Sequence, residues 1–158
     1  MAANAANRET VRDALTTLLS TALTGIGNPV QSVYGYHVSE FGGEGFESPV
    51  VLVLSSGSQR ERRGLGNQKY RTFFQLEILV FVSDAISAES WTDANVEDRL
   101  DLIEKEIADV IAENRSSPGV WDDLKHVPGN YTNIVPAKLG GHSYKMETIP
   151  VIVEVQDA

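Results

Sequence analysis

The sequence predicts an α+β domain, a mostly antiparallel β-sheet with two principal helices packed on one face and a long β-hairpin loop. Three observations predict it. Two segments carry apolar residues at helical spacing, other segments alternate apolar and polar residues at the period of a strand, and the order runs helix, three strands, helix, two strands. A chain of 158 residues is read as one domain, 1–158, large enough to bury a core. Its 42% hydrophobic and 22% charged content is that of a soluble globular fold, and no apolar run reaches the length of a bilayer span.

The elements follow in order. Val11, Ala14, Leu15, Leu18, Leu19, Ala22 and Leu23 form one stripe of a helix over Arg8–Leu23, with Asn7 as N-cap and Gly25 as the stop. After the break at Gly27-Asn28-Pro29, Val30–Val38 reads as a strand with Tyr34 and Tyr36 on one face. Phe41–Pro49 is a glycine-rich loop, and Pro49–Ser55 is a short, almost wholly apolar strand buried on both faces. Tyr70–Val82 alternates strictly, with Phe74, Leu76, Ile78, Val80 and Val82 on its apolar side. These two strands make a hairpin whose polar connection of about a dozen residues forms a protruding tip.

Ser83–Trp91 reads as a linker. The second helix spans Thr92–Asn114: Val96, Leu100, Ile103, Ile107 and Val110 line one side, and its other side is acidic, including Glu97, Asp101 and Glu104. Leu124–Val135 is a weaker strand interrupted by Pro128-Gly129, and Lys138–His142 is a turn. Ser143–Gln156 closes the sheet with Ile149, Val151, Val153 and Val155 on one face. Pro150, lacking a backbone donor, predicts an edge position over part of that strand.

Several chemistries find little support. There is no cysteine, hence no disulfide framework and no thiolate, which suits a reducing compartment. The N-terminal residues lack the basic start and apolar core of a signal peptide. His37, His126 and His142 have no metal-ligand spacing, so no metal or other cofactor is expected. The glycines of FGGEGF, RGLGNQK and KLGGH do not sit between a strand and a helix as in a phosphate cradle, and no nucleophile motif is present. The chain is therefore read as a non-enzyme.

Charge distribution is the informative feature. Arg60, Arg62, Arg63, Lys69 and Arg71 face one carboxylate, Glu61, giving residues 60–71 a net +4 in a chain of formal charge −9, so the remainder carries −13. A pI near 4.7 argues against general nucleic-acid binding, which depends on Lys and Arg releasing counterions. The five cations are candidate docking residues for an acidic protein surface, and the second helix of another copy is one such surface.

The element order, taken with specific phrases, resembles the tail terminator (tail-completion, neck) proteins of long-tailed bacteriophages and related tail-like particles. The phrases are Leu23-Thr24-Gly25 ending the first helix, Val33-Tyr34-Gly35-Tyr36, the apolar run Ser48–Val53 and the aromatic strand from Tyr70 to Leu76. The acidic helix from Val96 to Ile111 and the closing Glu154-Val155 complete them. The resemblance implies a structural virion protein forming a ring, commonly a hexamer. The ring would cap the tail tube, terminate its polymerisation and present a surface to the head connector protein. It implies a place in the tail or neck, with assembly in the host cytoplasm, no membrane partner, and DNA passing through the lumen without specific binding. Glu97, Asp101 and Glu104, or the loop Phe41–Pro49, are then candidates for a subunit boundary or the lumen. Two alternatives stay open: a head–tail joining (connector) protein of similar fold, and a nucleic-acid-binding module using the basic loop 60–71.

Overall fold

The computed structural model of the chain describes residues 7–38, 48–62, 70–83, 85–86, 89–90, 92–139 and 141–156. The elements are α1 (Arg8–Leu23), β1 (Ser32–Tyr34), β2 (Val50–Arg62), β3 (Tyr70–Val82), β4 (Ala85–Ile86), β5 (Glu89–Ser90), α2 (Asp93–Glu113), β6 (Asp123–His126), β7 (Asn133–Leu139) and β8 (His142–Gln156). The described residues form a six-stranded sheet in the order β1-β2-β3-β8-β6, with β7 also on β8, and a separate small hairpin of β4 and β5. All pairings are antiparallel except β1 with β2. This is the expected α+β class.

Both helices bury their apolar stripes on one face of the sheet. Val11, Leu15, Leu19 and Leu23 from α1 and Leu100, Ile103 and Ile107 from α2 join Phe74, Leu76, Ile78 and Val80 of β3 and Ile149, Val151, Val153 and Val155 of β8 in one core. The caps explain where the helices begin. The Asn7 Oδ1 accepts from the Thr10 N–H at 2.9 Å, and Thr92 and Asn95 form a reciprocal capping box. Gly25, at φ +106°, turns the chain out of α1 in a conformation that strains a side-chain-bearing residue. A second, smaller cluster of Val50, Leu52, Phe81 and Tyr144 lies on the sheet face away from the helices, so the start of β2 is buried on both sides as expected. No helix among the described residues is long and apolar enough to cross a membrane.

Four expectations are corrected. The strand over Val30–Val38 shrinks to Ser32–Tyr34, because only these residues find a partner in β2. β2 does not stop at Ser55 but runs to Arg62, since backbone pairing with β3 carries polar residues as readily as apolar ones. The linker Ser83–Trp91 contains β4 and β5. Leu124–Val135 is two strands, β6 and β7, which pair in tandem with β8.

β8 is consequently an internal strand, with β3 along one side. Pro150 sits in the break on its other side, where β7 pairing ends at Thr148 and β6 pairing begins at Val151. Its carbonyl accepts from the Val127 N–H at 3.1 Å. A missing donor is tolerated there, which is the local edge character that proline requires.

Candidate interaction surfaces

The described residues of the basic segment, 60–62 and 70–71, are strand. Of its five cations, Arg60 and Arg62 lie in β2 and Arg71 in β3, while Arg63 and Lys69 fall outside the described residues. A β-bulge between Ser55 and Gly57 resets the alternation, so Ser58, Arg60 and Arg62 pair with Phe74, Thr72 and Tyr70 and share the helix-covered face. The Arg60 guanidinium lies 6.0 Å from the Phe74 ring. With Ser58, the N-cap Asn7 and the first residues of α1, Arg8 and Glu9, it borders an open recess of about 440 Å³. Arg12, one turn further along α1, donates from Nη1 to the Ser55 Oγ at 3.1 Å. Thus Arg8, Arg12, Arg60 and Arg62 gather at one end of the helix-covered face.

Arg71 belongs elsewhere. It lies on the opposite face and donates to both carboxylate oxygens of Glu154, at 2.8 and 3.3 Å, with its guanidinium 5.0 Å from the Phe73 ring. The Glu154 hydrogen bond, then its charge, pushes the already high Arg71 pKa further up. The expected docking set therefore loses Arg71, which is occupied within its own chain.

The acidic side is more organised than the sequence indicates. Glu97 pairs with Lys145 of β8, and Asp109 with Lys105 within α2. Between them, Asp101 and Glu104 have no ion-pair partner among the described residues. Their charges reach Glu147 of β8, which is only 3% exposed. Glu147 pairs with Val80 and Ile134, and is hydrogen-bonded to the Thr132 side chain. Burial pushes its pKa up; the Thr132 hydrogen bond opposes this, and the Glu104 and Asp101 charges add to it. Sequence reasoning missed Glu147, although it stands in register with the buried Ile149, Val151 and Val153, and a carboxylate in an apolar register is a readable signal. The candidate loop Phe41–Pro49 lies outside the described residues except at its end, where the Ser48 Oγ accepts from the Ser83 N–H at 2.9 Å.

Two ends of one face thus carry opposite charge. Arg60 is opposite Thr72, and Glu147 is opposite Val80, eight residues further along β3, or about 27 Å at ~3.4 Å per residue. An arginine side chain does not span that gap, and salt screens the field across it, since the Debye length is roughly 8–10 Å near physiological salt. Among the described residues no three His, Asp or Glu side chains converge as metal ligands. The groove between α2 and β6, about 260 Å³, is lined by Ala108, Ile111, Ala112 and Leu124 together with Arg115, Asp123, Lys125 and His126, and Asp123 is already paired with Arg115 and Lys125. No protein-family model matches the chain, and no curated protein matches it.

Proposed function

We propose that this chain is a structural protein that assembles with copies of itself into a ring, most simply a hexamer. The ring caps the tail tube of a phage or tail-like particle, terminates its polymerisation and offers the head connector a surface. The observation that carries this reading is the charge separation just described. Cations at one end and carboxylates at the other, too distant to meet within one chain, satisfy each other when copies associate head to tail. A head-to-tail contact joins two different patches, and repeated through a closing rotation it makes a ring. The resemblance in element order supplies the tube-capping role. An acidic wall lets DNA pass without gripping its phosphates.

Light scattering after size exclusion, with negative-stain images of the protein alone and with tail tubes, tests this reading. Expected are sixfold rings in solution and single rings at tube ends. A protein that stays monomeric at low salt and high concentration, and leaves tube length unchanged, sinks it.

A further inference from the structure

We infer that the contact between neighbouring copies seats the β2 end carrying Arg60 and Arg62 on the α2 face carrying Asp101 and Glu104. This inference rests on the ring reading above and names the two surfaces that reading leaves open.

Each side is defined by what remains unsatisfied. Along α2, Glu97 and Asp109 are already neutralised by Lys145 and Lys105, which leaves Asp101 and Glu104 as the central acids without an ion pair among the described residues. Glu147 beneath them, nearly buried and flanked by two further carboxylates, strengthens the local demand for a cation. On the other side Arg71 is committed to Glu154, whereas Arg60 and Arg62 form no ion pair among the described residues. The two surfaces sit at opposite ends of the helix-covered face, so a displacement along the strand axis combined with the rotation that closes a ring brings one copy's basic end towards the next copy's acids.

Apolar surface accompanies the charges. Ile134, opposite Glu147, is 45% exposed. Arginine stems can lie on such a side chain while the guanidinium groups reach the carboxylates in a planar, forked geometry. A second copy fits better than nucleic acid, because the whole chain is acidic and would repel phosphates outside this one end.

The test uses charge reversal in the full chain. One variant carries Arg60→Glu and Arg62→Glu; the other carries Asp101→Lys and Glu104→Lys. Each alone presents like charges at the contact, so each should self-associate at least about tenfold more weakly than the parent. Mixed in equal amounts, the two should recover association, because each then meets its complement. The mixed ring must alternate, so it closes only with an even number of subunits, a sixfold ring included. Sedimentation velocity and negative-stain images read the outcome, with circular dichroism to establish folding. If a reversed variant does not fold, Arg60→Gln/Arg62→Gln and Asp101→Asn/Glu104→Gln replace it, each expected to weaken association. Parent rings with undiminished rings from either variant, or folded reversed variants that fail to recover on mixing, overturn the contact while leaving the ring reading intact. Normal rings with lost tube attachment or lost DNA retention by the β2 variant assign that end to another partner and also overturn it. A parent that neither self-associates nor changes tube length overturns the ring reading itself.

Discussion

Arg71 and Glu154 meet across β3 and β8 in a two-point ion pair, at 2.8 and 3.3 Å, that removes one cation from the basic segment and gives it to the sheet. Glu154 is 9% exposed, so its carboxylate depends on that partner for the charge stabilisation that water no longer supplies. Arg71→Ala should lower the melting temperature and leave assembly at low temperature unchanged. Arg71→Lys should recover only part of the loss, because an ammonium cannot reproduce the fork. Arg60→Ala should do the reverse: melting unchanged, assembly weaker. Thermal melts of the three variants beside sedimentation check the pattern, and equal melting of Arg71→Ala and the parent would remove the structural role.

Leu100 is fully buried where α2 meets the sheet, whereas Leu102, two residues on, is 44% exposed. Leu100→Ala should cost roughly 2–5 kcal/mol, the transfer term plus the cavity left behind. Leu102→Ala should fall within about 0.5 kcal/mol. Urea unfolding followed by circular dichroism separates them, and similar midpoints for both would contradict the packing described.

Glu147 gives the fold a pH dependence of definite sign. Burial raises its pKa in the folded chain above the ordinary 4.5, so the unfolded chain ionises it first as pH rises. Its contribution to stability is therefore fully present below the unfolded pKa and is lost as pH climbs through the folded one. Glu147→Gln removes the titration. The variant should gain melting temperature relative to the parent as pH rises from about 4 to about 7, with little difference at the acidic end. A difference that does not change with pH would contradict this, as would a gain at the acidic end only.

The same residues mark how far the sequence is readable. Both helices are legible to within a residue, because a one-sided apolar stripe with Asn7 or Thr92 at its start admits few alternatives. β3 is legible for the same reason, its alternation being unbroken from Phe74 to Val82. The outer half of β2 is not, since Ser55–Arg62 carries no apolar alternation of its own and is held in the sheet by its partner. The split of Leu124–Val135 into two strands is likewise set by β8, which is long enough to accept both. Of the candidate surfaces, the charge imbalance is legible, but the loss of Arg71 to Glu154 is not. Those residues are 83 positions apart and meet only once the β3–β8 register is fixed.

Gly35 and Thr16 are coupled across the α1–β1 junction. A Cβ placed on Gly35 would lie 2.8 Å from the Thr16 Oγ1, which itself donates to the Arg12 carbonyl at 2.7 Å and is not free to swing away. Gly35→Ala should cost about 1–3 kcal/mol by overpacking. Thr16→Ala in the same chain should return most of that cost, so the pair deviates clearly from additivity. A double-mutant cycle in urea measures the coupling, and purely additive losses would mean that the crowding lies elsewhere.

The last prediction concerns salt. Replacing Arg60, Arg62, Arg63 and Lys69 together with Gln leaves Arg71 and its ion pair in place, so melting should change little. Exposed charges contribute little individually, and surface substitutions of this kind fall within about 0.5 kcal/mol each. Assembly should weaken instead. In the parent, association should fall as salt rises, because the cations and carboxylates that meet are screened. The fourfold variant has no such attraction to screen, so its weaker association should vary little with salt. A soluble hairpin end with no partner predicts normal assembly by the variant. A nucleic-acid grip predicts normal assembly with lost oligonucleotide retention and a shallower salt slope. The expected outcome is unchanged melting, impaired and salt-insensitive assembly, and unchanged oligonucleotide retention. Only docking of that end on an acidic protein surface yields all of these in one chain.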